Sequence, residues 1–442
     1  MVRRWQCSRP ALKPMARGLL CVVALLGCSV PVSAQLIDTV PDAAGTRGGD
    51  GWFGGANAGA RDFVIENNAE SPGQFDADVD LRFQADDILA VNLSRASLAR
   101  AVRIGVRPVR KTRLETIGMV LWRLRVPPSM SASAALAMLA QVDTAGSYSA
   151  NQLYRLADGG ASSLCEGLRC FARSLMQWPD AGCPIDLPIG VVDGGSLAGA
   201  PWLARESVVY QRIAPPSLPA AEQGHALAVA SLIAGQADSS FPGLAPQAPL
   251  SVADVFWLDE QQQPVTDAAT LVEGLEWVAA RGARVINVSV AGPHAEVLEL
   301  AVRRLLAKQV YVVAAVGNAG AQAPPSYPAA YPTALAATAV DHYKRIYPQA
   351  GQGSHVSFAV PGVNLWVATA DGGGRFASGT SYAVAMLSVS VAARLAQPAN
   401  QRPQQVLGAL RDQAEDLGEP GHDAVFGWGL ARTPNCNANT AE

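Results

Sequence analysis

Glu296-Val297-Leu298-Glu299-Leu300-Ala301-Val302-Arg303-Arg304-Leu305-Leu306-Ala307, followed closely by Val310-Tyr311-Val312-Val313-Ala314-Ala315-Val316-Gly317-Asn318, decides the fold class. The first stretch spaces its apolar residues three and four apart, as a helix resting one face on a core does. The second is an apolar run with no polar alternation, as expected of a strand covered on both sides. The same pairing recurs along the second half of the chain. Strand-like runs at Ile189–Val192, Leu250–Phe256, Val285–Val290 and Leu335–Val340 alternate with helical patterns at His225–Ile233, Ala268–Ala280, Glu296–Ala307 and Ser381–Leu395. Continuous apolar strands between helices predict a parallel sheet with helices on both faces, an α/β domain.

The chain has 442 residues, 49% hydrophobic and only 16% charged, which gives a globular composition with material for two or three domains. Residues 1–34 read as a signal peptide: Arg3, Arg4, Arg9, Lys13 and Arg17 precede the apolar stretch Leu19–Val32, and Val32-Ser33-Ala34 offers small residues for cleavage. Leu25-Leu26-Gly27-Cys28 is a rival processing site at which Cys28 would carry a lipid. No later segment has the run of about 18 apolar residues that a spanning helix needs. Loss of the five leader cations takes the formal charge from −3 to −8, which argues against nucleic acid as a partner. Four cysteines remain beyond the leader, Cys165, Cys170, Cys183 and Cys436, and an even number in an exported chain predicts two disulfides of open connectivity.

Residues 35–85 are rich in Gly, Ala, Asn and Asp and read as a flexible lead-in. From 86 to 157 the order is βαββαβ: strands at Ile88–Leu93, Val106–Ile117, Met119–Val126 and Asn151–Leu156, with helices at Arg95–Val102 and Ser131–Gln141. That order predicts a small ferredoxin-like sandwich. Nine Lys or Arg against the lone Glu115 between Arg95 and Arg125 give this stretch a charge of +8, a pattern that usually marks a solvated face. Residues 158–187 form a cysteine-containing connector, 188–432 the α/β domain, and 433–442 a tail.

In parallel sheets, ligands and catalytic groups collect where strands end, so the residues after each apolar run are the informative ones. Asp193 directly follows Ile189-Gly190-Val191-Val192, and Asn318 ends the run that begins at Val310. His225 opens the small-apolar helix Ala226–Gly235, and Ser381, in Gly379-Thr380-Ser381-Tyr382-Ala383, opens the apolar helix that runs to Leu395. Each alone has a bland explanation as a cap or turn residue. Together they supply a nucleophile at a helix N-terminus, a base, a carboxylate to orient it and an amide donor, which is the full set for nucleophilic acyl transfer.

With these residues in order, the chain from about Ile185 to Arg432 resembles the subtilases, the subtilisin-type serine proteases. Asp193 matches the aspartate motif, Gly224-His225 the histidine motif, Gly379-Thr380-Ser381 the serine motif and Gly317-Asn318-Ala319-Gly320 the oxyanion asparagine. Ile286-Asn287-Val288-Ser289 resembles the substrate-binding edge strand, with Tyr327-Pro328-Ala329, Ala337–Asp341 and Val360-Pro361-Gly362 where similar segments recur. The resemblance implies a subtilisin-like three-layer domain with a mostly parallel sheet, preceded by a small ferredoxin-like α+β pro-domain. It implies catalytic roles for Asp193, His225 and Ser381, an oxyanion role for Asn318, and pairing of Ser289, Val290 and Ala291 with an extended polypeptide substrate. It identifies residues 86–157 as a propeptide that assists folding and inhibits, ending in the Asn-x-x-Tyr-like Asn151-Gln152-Leu153-Tyr154. Residues 183–442 carry a net charge of −7, opposite to the +8 stretch, so charge complementarity is expected to help the propeptide dock.

The implied protein is an exported serine endopeptidase, secreted or periplasmic, acting as a monomer on extended polypeptide. A lipid anchor at Cys28 is the alternative location. Three positions depart from the family pattern: Gly194 where Ser or Thr is usual after the aspartate, Ala226-Leu227 where Gly-Thr is usual, and Ala385 in place of proline. They raise the alternative of a catalytically impaired, peptide-binding relative. An α/β-hydrolase esterase fits less well, because no Gly-x-Ser-x-Gly surrounds Ser381 and the residue order differs. No cofactor or metal is assigned; calcium is the ion that the resemblance admits, and no loop pattern of carboxylates marks a site for it.

Overall fold

The computed structural model describes residues 87–156, 171–179, 181–198, 200–221, 224–397 and 402–432. The leader, its alternative lipidation site, the lead-in, Cys165, Cys170, Cys436 and the C-terminal tail lie outside the described residues.

The N-terminal sandwich is built from β1 (Asp87–Val91), α1 (Arg95–Arg103), β2 (Arg107–Leu114), β3 (Met119–Arg125), α2 (Ala132–Val142) and β4 (Ser147–Ala150), with sheet order β2-β3-β1-β4 and antiparallel pairing. Both helices start at a serine, Ser94 and Ser131, whose hydroxyl accepts a first-turn N–H. The two faces of this sheet serve different cores. Ile88, Ala90, Trp122 and Leu124 pack beneath the sandwich's own helices, while Leu89, Val91, Met119 and Leu121 join the core of the large domain. Period-two alternation therefore makes the sheet a layer shared between two cores.

Sequence reading placed the fourth strand at Asn151–Leu156, and the structure corrects this. The fourth strand is β4, and the chain then leaves the sandwich as β5 (Leu153–Leu156), which pairs with strands of the large domain. Asn151, buried, marks the switch: its Nδ2 donates to Asp267 and its Oδ1 accepts the N–H of Ala269. Its own N–H still donates to the Asp87 carbonyl of β1 at 3.1 Å, whereas the next carbonyl, on Gln152, accepts from Ala268 N–H at 3.0 Å, so the backbone changes sheets here.

After the short α3 (Phe171–Met176), the large domain follows as β6 (Ile189–Asp193), β7 (Val208–Arg212), α4 (His225–Ala234), β8 (Leu250–Asp254), β9 (Trp257–Leu258), β10 (Pro264–Asp267), α5 (Ala268–Ala280), β11 (Val285–Val288), β12 (Val290–Ala291), α6 (Glu296–Ala307), β13 (Tyr311–Ala315), β14 (Leu335–Val340), β15 (Val356–Pro361), β16 (Leu365–Ala368), β17 (Gly374–Ala377), α7 (Thr380–Leu395) and α8 (Pro403–Gln413). Seven strands form one sheet in the order β15-β14-β13-β11-β6-β8-β7, every neighbour parallel. All residues of β6, β8, β11, β13 and β14 are buried, which requires cover on both faces. That cover comes from two helix pairs, α5 with α6 and α4 with α7. Every residue of α7 is buried, so it is the central helix of the domain.

Two departures from the sequence reading matter for function. The run Val285–Val290 breaks at Ser289, so that β11 stays in the main sheet and β12 turns out of it. Strand β7, unmarked in the sequence reading, forms the sheet's exposed edge beside β8. Among the described residues no helix is long and apolar enough to cross a membrane.

Candidate active site

Asp193 is the last residue of β6 and is fully buried. The next strand over continues past it, and Val255 N–H donates to the Asp193 carbonyl at 3.0 Å. The chain then turns at Gly194-Gly195, and the carbonyl of Gly194 accepts from Ala226 N–H at 3.0 Å, which docks the first turn of α4 against the strand tip. His225 opens that helix after Gly224 and is 7% exposed. Its Nδ1 donates to Asp193 Oδ1 at 2.5 Å, and the same oxygen accepts Gly194 N–H at 2.6 Å. Asp193 Oδ2 is buried without a hydrogen-bond partner.

Helix α4 packs against α7. The His225 ring lies 5.7 Å, centre to centre, from the ring of Tyr382, which follows Ser381 in the first turn of α7. The Tyr382 hydroxyl accepts from Arg375 at 3.2 Å. Ser381 is buried, and its Oγ donates to the Ser289 carbonyl over a long 3.4 Å. Sequence reading began α7 at Ser381. Its first residue is Thr380, so Ser381 sits inside the first turn, where backbone N–H groups have no acceptor within the helix. Asn318, just past β13, accepts the Thr380 N–H at 3.1 Å and the Thr380 hydroxyl at 2.9 Å through Oδ1. With its oxygen committed to α7, the amide offers Nδ2 as its donor.

Ser289 lies where β11 gives way to β12. Val290 and Ala291 form one wall of a cleft, β10 the other, and β5 fills it as the middle strand. Leu156 stands opposite Val290, and Arg155 stands opposite Ala291 and Val265. Sequence reading found the β12 wall and missed the β10 wall, whose only signal was Asp267, the residue that caps α5 by accepting Thr270 N–H at 2.8 Å. Tyr154 points inward and is fully buried, with its hydroxyl donating to the Pro293 carbonyl at 2.9 Å. Burial pushes its phenol far above the usual range, so it remains a neutral donor. Gly292 makes room for the ring: a Cβ there would stand 2.4 Å from Tyr154 Cδ1. Beneath lie Tyr327 and Tyr331, 4.7 Å apart centre to centre, with His294 against both.

The sandwich is held to α5 by two carboxylates. Glu276 accepts the N–H groups of Thr116 and Ile117 at 2.6 and 2.7 Å, and Glu273 accepts from Arg110 and Thr112, each at 3.1 Å. Burial raises the Glu273 carboxyl above its ordinary value, and Arg110 works against that rise. Arg123 bridges Asp87 of the sandwich at 2.6 Å and Asp267 at 3.4 Å. The basic stretch is thus not wholly a solvated face, since Arg110 and Arg123 reach acids of the large domain. Among the described residues, no group of three or more His, Cys, Asp or Glu is placed to hold a metal ion.

Comparison with known proteins gives a consistent result. A model of the subtilase family matches residues 186–429. The minor extracellular protease Epr of Bacillus subtilis (strain 168) is 26% identical over 254 residues, which are 55% of this chain and 37% of that protein. Subtilisin BL of Lederbergia lenta is 32% identical over 211 residues, covering 47% of this chain and 75% of that protein. Among solved structures, fervidolysin from Fervidobacterium pennivorans, described as a keratinolytic enzyme related to subtilisin, aligns over 80% of this chain and 61% of its own with a TM-score of 0.65. At 20% identity that likeness speaks for the fold alone.

Proposed function

The chain belongs to the subtilase family, and from that premise we propose that it is an exported serine endopeptidase made with an N-terminal inhibitory pro-segment. The observation that carries this reading is β5, an extended segment held antiparallel between β10 and β12 in the manner of a bound polypeptide. The last residue of β5, Leu156, pairs with Val290, the neighbour of Ser289, whose carbonyl holds the Ser381 hydroxyl. We take the end of the pro-segment read from the sequence, the bond after Ala157, as the proposed junction.

In the proposed reaction His225 removes the Ser381 proton as Oγ attacks the carbonyl, then delivers that proton to the leaving amine. Asp193 fixes the imidazole with Nδ1 protonated, which leaves Nε2 to act as the base. Nδ2 of Asn318 and the Ser381 N–H stabilise the oxyanion. Water then hydrolyses the acyl-enzyme by the same proton path. Export agrees with the leader sequence and with the relative in Bacillus subtilis, an extracellular protease by name. For Cys183, which is buried within the connector, a disulfide to one of the other three mature cysteines is proposed, and reduction should raise the intact mass by two hydrogens per bond.

Expression of the full chain and of Ser381→Ala, followed by fluorophosphonate labelling and N-terminal sequencing, tests this reading. The wild type should label and acquire a new N-terminus at Asp158, and the variant should do neither. A processed wild-type protein that does not label would identify a peptide-binding relative instead.

A further inference from the structure

Asp254 lies at the tip of β8, in parallel register with Asp193 of β6 on one side and Arg212 of β7 on the other. It is 2% exposed, and nothing in the sequence pattern marked it. Its Oδ1 accepts Gly195 N–H at 3.1 Å and Phe256 N–H at 3.3 Å; its Oδ2 accepts the Tyr210 hydroxyl at 2.9 Å and Arg212 at 3.4 Å. Arg212 also donates to the Leu218 carbonyl, so the guanidinium is braced from a second side. Burial, then the Asp254 charge, pushes the Tyr210 phenol well above its usual range, and it stays a donor.

A buried carboxylate with four donors is costly to assemble, and its product here is a fixed backbone. Gly195 is the second residue after Asp193, and the carbonyl between them, on Gly194, receives the first-turn N–H of the histidine helix. Asp193 needs that outside support. One of its oxygens holds both Gly194 N–H and the imidazole, and the other has no donor. A side chain at 194 would crowd Phe256, because a Cβ there would stand 3.0 to 3.1 Å from its Cβ, Cγ and Cδ2 and the ring would have to give by a few tenths of an ångström. Phe256 is itself anchored by Asp254.

We propose that Asp254 is a positioning residue for catalysis: it fixes the turn after Asp193 from the neighbouring strand, and through that turn the mutual orientation of Asp193 and His225. The proposal rests on the protease reading. It assigns Tyr210 and Arg212 as outer braces, and it explains how the site accommodates glycine after its aspartate.

The test uses the full chain, processed by itself, with a chromogenic peptide. Asp254→Glu keeps the charge that faces Arg212 but displaces the acceptor oxygens by about the length of one C–C bond, and an error of that size lowers kcat by about tenfold or more with KM little changed. Asp254→Asn, which retains an oxygen for the Gly195 N–H, should restore kcat to within a few fold of wild type. Independently of turnover, the His225 Nδ1 proton resonance should move in Asp254→Glu and stay in place in a variant of the exposed Tyr343. An unchanged kcat and an unmoved resonance in Asp254→Glu would overturn the proposal, as would a loss confined to KM. Failure of the wild type to label with fluorophosphonate would overturn the protease reading instead, and the resonance would still report on Asp254.

Discussion

Tyr154 is where the hold of the cleft on β5, the proposed pro-segment strand, can be measured. The side chain is fully buried against Gly292, and its hydroxyl donates to the Pro293 carbonyl at 2.9 Å. Tyr154→Phe removes that bond and leaves the carbonyl with one donor fewer, at a cost of about 1 kcal/mol, or roughly fivefold in affinity. Tyr154→Ala removes the whole ring from a packed site, and such truncations cost about 3–5 kcal/mol, roughly a hundredfold to several thousandfold. With the junction cleaved as proposed, these losses should appear as faster release. The assay is the lag before peptide hydrolysis begins after the complex is diluted, and the lag should shorten modestly for phenylalanine and vanish for alanine. If Tyr154→Ala released as slowly as wild type, the cleft would not be what holds the segment, and the assignment of β5 as a substrate-like strand would fail.

Other expectations follow from neighbouring contacts. Gly292→Ala places a Cβ 2.4 Å from the Tyr154 ring, so it should speed release and lower kcat/KM for peptides with an aromatic residue at that position more than for those with alanine. Glu276→Ala removes the acceptor of two backbone N–H groups at the sandwich turn, at about 1.5–3 kcal/mol, so dilution should free the enzyme roughly ten- to a hundredfold faster while leaving kcat of the released enzyme unchanged. Glu415 has its carboxyl held below its ordinary value of 4.5, first by the hydrogen bond from Lys344 and also by Arg432. Its stabilising contribution is complete above that value and is lost as pH falls through the depressed one. Melting scans from about pH 6 to about pH 3 should show a steeper acid loss in wild type than in Glu415→Gln.

The core of the large domain was legible because its strands are buried on both faces, which writes long apolar runs into the sequence at β6, β8, β11, β13 and β14. Where that condition fails, the signal fails too. Strand β7 is the sheet's exposed edge, and in Val208-Val209-Tyr210-Gln211-Arg212 the apolar run stops after Tyr210, too short to mark a buried strand. Strand β10 begins with a proline and ends in a helix cap, so its four residues read as the approach to α5. The split at Ser289 was hidden for the opposite reason: Val285 to Val290 is apolar enough to read as one strand, although its last part belongs to another sheet.

The residues brought together at the site show the same division. Asp193 and His225 were visible because each stands where an apolar element begins or ends, and the structure joins them at 2.5 Å. Asp254 stands at such an end too, in Leu250-Ser251-Val252-Ala253-Asp254, but Val255 and Phe256 continue the apolar run and conceal it. What sets it apart is lateral: it lies beside Asp193 in one direction and Arg212 in the other, a neighbourhood created by strand order and absent from any local window. Tyr154 is the converse, a residue legible as a motif whose partner surface, Gly292 and Pro293, lies more than a hundred positions away. Periodicity thus records which groups an element presents at its ends. Which groups face each other is decided by the order in which seven parallel strands were laid down, and in this protein that order supplies the brace behind the aspartate.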